Sequence, residues 1–429
     1  MIDQTEPTLP GKKEPSAFYR WVVLLFLSIA MFGNYYIFDS ISLVADQLKS
    51  QLNFTDLNIG QMYSYYSVAA IIVLIFGGIL VDKWGTKKSS IIFASICTIS
   101  GFLVAFSSSL YPMLAGRFLL GVGSEPLIVA ITVAIAKWFK GKQLAFAMGV
   151  NLFLARAGTY AVDNSPSIFP GLYSKGFEGP VFVAALVGIL SLFGIVIYAA
   201  LEHRGERLFA LGKGGKTDKL DIKVIFKFNK SFWYITVLCV TFYSAIFPFR
   251  AFAIKFFMES HNVSREVAGG LISWLPLAAM IATPLIGLLV DYIGRRALLM
   301  TFGSILLLPV YLLMGYTDIS LYVPVIMMGV AFSLIPAVMW PSVAYIIEEK
   351  RLGSAYALMT LIQQIGMALL PILVGAANDH SGASATNPGG YHLGMWIFLI
   401  LGILGLIFAY LLRKAETGPG GHGLELGMK

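Results

Sequence analysis

The sequence predicts an all-α polytopic membrane protein of twelve transmembrane helices in two six-helix halves. Three observations predict it. Apolar stretches of spanning length recur twelve times along 429 residues, Lys and Arg collect in alternate connections, and one motif recurs at the same place in each half. A chain that is 57% hydrophobic and only 13% charged is also no ordinary soluble domain. The net charge of +8 is not a nucleic-acid signal, because the basic residues sit in short connections between apolar runs. Cys97 and Cys239 lie inside apolar runs, so no disulfide framework is implied, and no metal or haem spacing calls for a cofactor.

Residues 1–18 are polar and precede a first span too long for a signal-peptide core, which reads as an uncleaved helix. The first six spans are expected at 19–45, 57–81, 89–109, 112–136, 143–168 and 179–201. The second six are expected at 231–257, 265–290, 297–316, 320–347, 352–377 and 391–412. A Gly- and Lys-rich link, 202–230, separates the halves, and the stretch 415–429, with its GPGGHG, reads as a disordered tail. Thr55-Asp56 and Ser264 are expected N-caps for spans two and eight.

One set of connections carries Lys83, Lys87, Lys88, Lys137, Lys140, Lys142, Arg295, Arg296, Lys350 and Arg351, and the opposite set only Lys49, Lys175 and Arg265. The positive-inside rule then puts both termini in the cytoplasm. After span two the chain reads Gly78-x-x-x-Asp82-x-x-Gly85-Thr86-Lys87-Lys88, and after span eight Gly287-x-x-x-Asp291-x-x-Gly294-Arg295-Arg296. Gly85 and Gly294 suit a tight turn. Asp82 and Asp291, at helix C-termini where the dipole disfavours acid, should seek basic or helix-N-terminal partners, making a conformational latch.

This duplicated motif, the twelve spans and the long central link resemble the major facilitator superfamily, and Arg117-x-x-x-Gly121-x-Gly123 resembles its fourth-helix motif, which adds Arg117 to the latch set. Tyr35–Ser40, Gly121–Glu125, Lys137–Leu144, Ala155–Gly158, Phe247–Phe249, Met339–Tyr345 and Arg351–Gly366 resemble the lysosomal dipeptide uniporter branch more closely. The resemblance implies that Glu125 and Arg156 hold a peptide's amine and carboxylate. Arg250, directly after Phe247-Pro248-Phe249, departs from the branch pattern.

The residues themselves point to the same pair. Glu125 and Arg156 lie about 20 Å into spans four and five at helical rise, well inside a hydrocarbon layer about 30 Å thick. A charge there costs at least about 2.5–3.5 kcal/mol, so its default reading is functional. The alternatives are a structural pair, Glu125 with Arg117 or Arg156, and, since Pro126 frees a carbonyl, a kinked or unwound site. Asp39, Arg250 and Lys255 extend the pocket, form an outer gate or make a structural pair. Tyr35, Tyr36, Tyr63, Tyr65 and Tyr66 are cavity phenols or interfacial tyrosines. Gln363 or Gln364 faces the cavity or bonds between helices, and Trp340-Pro341 is a cavity floor or hinge. Arg117 by itself reads as a packing or snorkelling arginine, and Asp163-Asn164 as an interfacial polar end. Asn53-Phe54-Thr55 and Asn262-Val263-Ser264 match glycosylation sequons.

The expected function is alternating-access uniport of small zwitterions, dipeptides foremost. An organic-anion carrier or proton-coupled symporter of the same fold is the alternative, and a non-transporting nutrient receptor the reading from another class. No nucleotide loop, metal cluster or nucleophile constellation supports an enzyme. The expected partners are a small-molecule substrate and the bilayer, with no nucleic acid and with an accessory membrane subunit left open. Short tails without a dileucine sorting signal favour a prokaryotic inner membrane over a lysosome.

Overall fold

The computed structural model describes residues 14–139, 141–209, 211 and 228–426, with all their side chains except those of Ile75, Asp291 and Lys350. The expected latch residue Asp291 and the basic residues Lys140 and Lys350 therefore fall outside the described side chains. Among the described residues, twelve helices are long and apolar enough to cross a membrane. Span one is Ala17–Asp39. Spans two and three run within Asp56–Ala105, which reverses at Gly85. Spans four to six are Leu110–Phe139, Leu144–Ile168 and Glu178–Leu208. Span seven is Lys230–His261, and span eight combines Arg265–Ile272 with Trp274–Ile293. Spans nine to twelve are Arg296–Tyr316, Tyr322–Ile346, Leu352–His380 and His392–Glu416. The face carrying Gly85, Gly294 and both described chain ends is called the basic face below, and its opposite the far face.

The repeat governs the packing. Span one lies against five and six, as span seven lies against eleven and twelve. Between the halves, span two meets eleven and span five meets eight, the same pair exchanged by the repeat.

Both expected turn glycines take backbone that a side chain resists: Gly85 has φ 76°, ψ 163° and Gly294 φ 68°, ψ −129°. On the far face a second repeat emerges, spelled Asn53-Phe54-Thr55 with Gly60 and Asn262-Val263-Ser264 with Gly269. Each Asn ends a helix in the left-handed region (φ 55° and 51°), which a short polar side chain tolerates. Two residues on, Thr55 and Ser264 cap the next helix by accepting from the amides of Asn58 and Val267. Five residues after each cap, Gly60 and Gly269 let the halves touch backbone to backbone. A Cβ there would lie 2.2 Å from the Pro371 carbonyl oxygen and 2.3 Å from that of Asp163. The apparent sequons are thus turn-and-cap devices.

Three boundaries differ from the sequence expectation. Span one ends at Asp39 and continues as a 3-10 turn, Ser40–Val44, and a short helix, Ala45–Leu52. Span six continues to Leu208, so 202–208 belong to the helix and not to the link, because the buried Glu202 collects four donors from its own half. The tail is not disordered over 415–426. Leu424 is buried, its carbonyl accepts from the Arg296 amide at 2.8 Å, and Glu425 accepts from Ala297 and Leu298 at 3.0 and 3.2 Å. A carboxylate on those first-turn amides satisfies donors the helix leaves open. Glu416 adds bonds to Ser231 (2.6 Å) and His422 (2.9 Å). The glycines bend the chain back and the residues after them anchor it.

Gly85 lies in open space, so a methyl there meets no atom and the penalty is backbone strain alone. Gly85→Ala should cost about 1–3 kcal/mol. Gly287→Ala, on helical backbone and equally open, should be level or gain up to about 1 kcal/mol. Thermal denaturation of the two purified variants checks this, and equal melting would mean that the turn relaxes freely.

Candidate functional site

Near the middle of the bundle, between the halves, lies a cavity of about 350 Å³. Spans one, two, four and five supply Asn34, Tyr35, Phe38, Asp39, Tyr66, Ser124, Glu125 and Arg156. Spans seven, ten and eleven supply Tyr243, Phe247, Trp340, Thr360, Gln363, Gln364 and Met367. The charged residues all come from the first half, whereas the second contributes rings, amides and a thioether.

Glu125 and Arg156 share this cavity without pairing to each other. The Glu125 Oε1 accepts from the Tyr66 hydroxyl at 2.9 Å and from the Gln364 amide, across the halves, at 3.2 Å. Tyr66 also reaches the Ser124 hydroxyl at 2.9 Å, which Asn34 meets at 2.7 Å, so one polar chain steadies the carboxylate. The other carboxylate oxygen has no partner among the described residues. Arg156 forms no ion pair or hydrogen bond among them either, and its guanidinium lies over the rings of Tyr35 (5.5 Å) and Phe332 (5.1 Å). Aromatic faces tolerate a cation without using its donors, so all five N–H groups stay available. The structural pair that sequence allowed for Glu125 is therefore absent. Span four also runs helical through Pro126, with no unwound segment.

Opposite Arg156 the second half forms an aromatic wall. Tyr243 stacks on Phe247 at 5.6 Å and accepts from the Trp340 indole at 3.0 Å. The Trp340 backbone carbonyl accepts from the Tyr356 hydroxyl at 3.1 Å, so both the indole and the backbone beside Pro341 are held.

Of the expected binding residues, Glu125, Arg156, Tyr35, Asp39, Tyr66, Trp340 and Gln363 line the cavity. Tyr36, Arg250 and Lys255 do not. Tyr36 points the other way along the helix, into the core, where it stacks on Phe32. Arg250 and Lys255 lie toward the far face in buried ion pairs. Arg250 donates to both Asp163 oxygens at 3.0 and 3.2 Å, and Asp39 lies 3.7 Å away, held by Thr159 at 2.8 Å. Lys255 donates to both Asp56 oxygens at 2.7 and 2.8 Å, and neither side chain has solvent access. Arg265 grips Asp46 at 2.7 and 2.5 Å. Asp379 accepts from the Asp56 and Leu57 amides at 2.8 Å each, capping span two from span eleven. Each of these four links joins one half to the other, so together with the Gly60 and Gly269 contacts they close the far face. Asp163 is therefore no interfacial end but a fully buried partner.

Arg117 is not part of the basic-face latch set. It is buried in the far-side part of span four, donating to the carbonyls of Met62 and Phe38 at 3.2 and 3.1 Å beneath the rings of Phe38 and Tyr63. On the basic face Asp82 is exposed, three residues before Gly85. Lys87 pairs with Glu206, and Lys88 lies 5.9 Å over Trp84. Glu202 ties Thr86 (2.6 Å) to Lys137 (2.8 Å) and Trp138 (2.9 Å). In the second copy Arg295 is exposed in the left-handed region, and Arg296 is buried against Tyr345 at 3.0 Å. Sequence reasoning passed over Asn34, Tyr243 and Glu202. A polar Asn in an apolar span was a usable signal, but Tyr243 looked like any aromatic of span seven.

A family model described as Major Facilitator Superfamily matches residues 27–253 and 249–426. The chain is 29% identical to the lysosomal dipeptide transporter MFSD1 of Homo sapiens over 433 residues, 96% of this chain and 90% of that one. It is 29% identical to its counterpart in Danio rerio (93% and 88%) and 20% identical to the hexuronate transporter of Bacillus subtilis strain 168 (92% and 96%). Among solved structures it resembles nucleoside transporter NupG, with TM-score 0.71, 14% identity and coverage of 92% and 99%. A bacterial homologue of the human lysosomal transporter Spinster, in an inward-facing and occupied conformation, also gives TM-score 0.71, at 16% identity and coverage of 93% and 98%.

Removing the Arg250 cation leaves Asp163 buried without its counter-ion, a change that costs about 3–5 kcal/mol while the far face stays closed. Arg250→Gln should therefore favour separation of the halves there. A cysteine replacing Phe38 should then react faster, by about tenfold or more, with an impermeant maleimide added on the far side. Unchanged labelling would mean that this ion pair does not hold the far face shut.

Proposed function

The chain belongs to the Major Facilitator Superfamily, and from that membership we propose that it carries dipeptides by uniport, exposing one central cavity alternately to either side of the membrane. The observation that carries this reading is that Glu125 and Arg156 face one cavity, unpaired with each other, each with bonding capacity to spare. A free dipeptide presents a matching pair of groups. Its two residues extend roughly 7 Å, its ammonium needs an acceptor, and its carboxylate fits the planar fork of an arginine with two parallel bonds. The relatives named as dipeptide transporters in several vertebrates support the same reading.

The two charges are kept tolerable separately, Glu125 by a hydroxyl and an amide and Arg156 by ring faces. Both interactions are weaker than a salt bridge, so substrate exchanges them at low cost. The far-face ion pairs act as the outer gate, because separation of the halves hydrates partners whose burial was itself expensive. The basic face is assigned to the cytoplasm and the membrane to a prokaryotic cell's inner membrane. A second reading, a carrier of sugar acids or other carboxylates, is favoured by an Arg156 that has no acid partner and by relatives named for hexuronate and galactarate or glucarate transport.

Affinities of blocked and free dipeptides separate the readings. Glu125→Gln should weaken free dipeptides by about 10–100-fold, the worth of a hydrogen bond to a charged group. N-acetylated dipeptides should bind the native protein weakly and lose little more in the variant. Equal binding of acetylated and free dipeptides by the native protein would end the zwitterion reading, and tight binding of a dicarboxylate would favour the second one. Arg156→Lys should also bind poorly, about tenfold or more weaker, because lysine keeps the charge and loses the fork. Near-native affinity there would reduce Arg156 to a point charge.

A further inference from the structure

Arg156 borders a second space. Next to the central cavity, between spans five, eight and ten, lies a partly open chamber of about 410 Å³ lined by Gly149, Phe153, Arg156, Met280, Phe332 and Pro336, among others, with Phe153 itself exposed at its rim. Apart from Arg156 and the Thr283 hydroxyl, every lining side chain is apolar. Gly149, Phe153 and Arg156 stand at i, i+4 and i+7, so one face of span five serves the chamber. The two spaces thus differ in chemistry and meet at a single guanidinium: hydroxyls, amides and a carboxylate on one side, hydrocarbon on the other.

We propose that this chamber is the subsite for the side chain of a substrate's C-terminal residue, selecting bulky apolar ones. The proposal rests on the dipeptide reading above and deepens it. In an amino acid the carboxylate and the side chain leave the same α-carbon. A carboxylate gripped by Arg156 therefore holds its own side chain beside the one residue that lines both spaces. The side chain of the N-terminal residue is held near Glu125, where Asn34, Ser124, Tyr66 and Gln364 form a polar wall. Dipeptides of identical composition but opposite order then meet different surfaces: Gly-Phe buries its ring among apolar side chains, whereas Phe-Gly turns it toward hydroxyls and amides. A difference of about tenfold or more is the ordinary result of filling an apolar pocket.

Gly149 supplies the test. A Cβ added there meets nothing within 4 Å, and the residue sits on ordinary helical backbone in span five, where leucine is a better helix former than glycine. Gly149→Leu should fold and fill part of the chamber. The affinities of Gly-Phe, Phe-Gly, Gly-Leu and Leu-Gly would be measured by competition on the purified full-length native protein and on this variant. The native protein should prefer Gly-Phe over Phe-Gly and Gly-Leu over Leu-Gly by about tenfold or more, and in Gly149→Leu each ratio should fall to about one. Native ratios near one would overturn the subsite and leave the dipeptide reading standing, as would a variant that weakens both orders by the same factor. If no free dipeptide binds the native protein at all, the dipeptide reading itself fails and the subsite with it.

Discussion

A charge inside a membrane-spanning bundle has little water to turn to, and this constraint organises the molecule. The charges placed above are answered by another charge, by hydroxyls and amides, by backbone carbonyls or by an aromatic face. Toward the far side the answers come from the other half: Asp163 has Arg250, Asp56 has Lys255, Asp46 has Arg265, and the first amides of span two have Asp379. Pairs of this kind add little net stability, since desolvation consumes most of their attraction. What they do supply is a defined closed arrangement that depends on both halves being present. Arg117 meets the same constraint within one half, through carbonyls and rings, and so leaves the contact between halves unaffected.

The internal repeat shows how a two-fold plan is adapted to two faces. On the basic face it places a positive-φ glycine after spans two and eight. On the far face it places a left-handed Asn and a capping hydroxyl before the same spans and a close-contact glycine in their first turns. Spans two and eight are thereby tied at both ends and lie against eleven and five, where the halves meet. The cavity breaks the symmetry. Charges face it from the first half and rings and amides from the second, so an unsymmetrical substrate meets two unlike walls.

Glu202 and the returning tail stabilise the basic face inside each half. In the first half, one carboxylate gathers a hydroxyl, an ammonium, an indole and a phenol from three spans, three, four and six. In the second, Glu425 and the Leu424 carbonyl finish the start of span nine while Glu416 holds the start of span seven. Thr86 of the first motif copy and Arg296 of the second are thereby tied into their own halves.

By itself the sequence determined what depends on local chain chemistry. Apolar run lengths set the number of spans, glycine at positions 85 and 294 set the turns, Thr55 and Ser264 set helix starts, and the depth of Glu125 and Arg156 along their helices followed from counting residues. Partner choice was beyond it, because a partner is decided by which helices pack together. Asp163 and Arg250 are 87 residues apart and Asp56 and Lys255 are 199 apart, and no local pattern marks such pairs. The same holds for Tyr35 and Tyr36, adjacent in the chain yet on different faces of span one, one in the cavity and the other in the core. It holds for the GPGGHG segment too, whose composition suggests a free tail although Leu424 and Glu425 just beyond it find a groove and a helix start. Only the tertiary structure decided that Glu125 and Arg156 stand apart. Hydroxyl, amide and ring neighbours from four other spans steady them without using up their bonding capacity, and the space between them stays open.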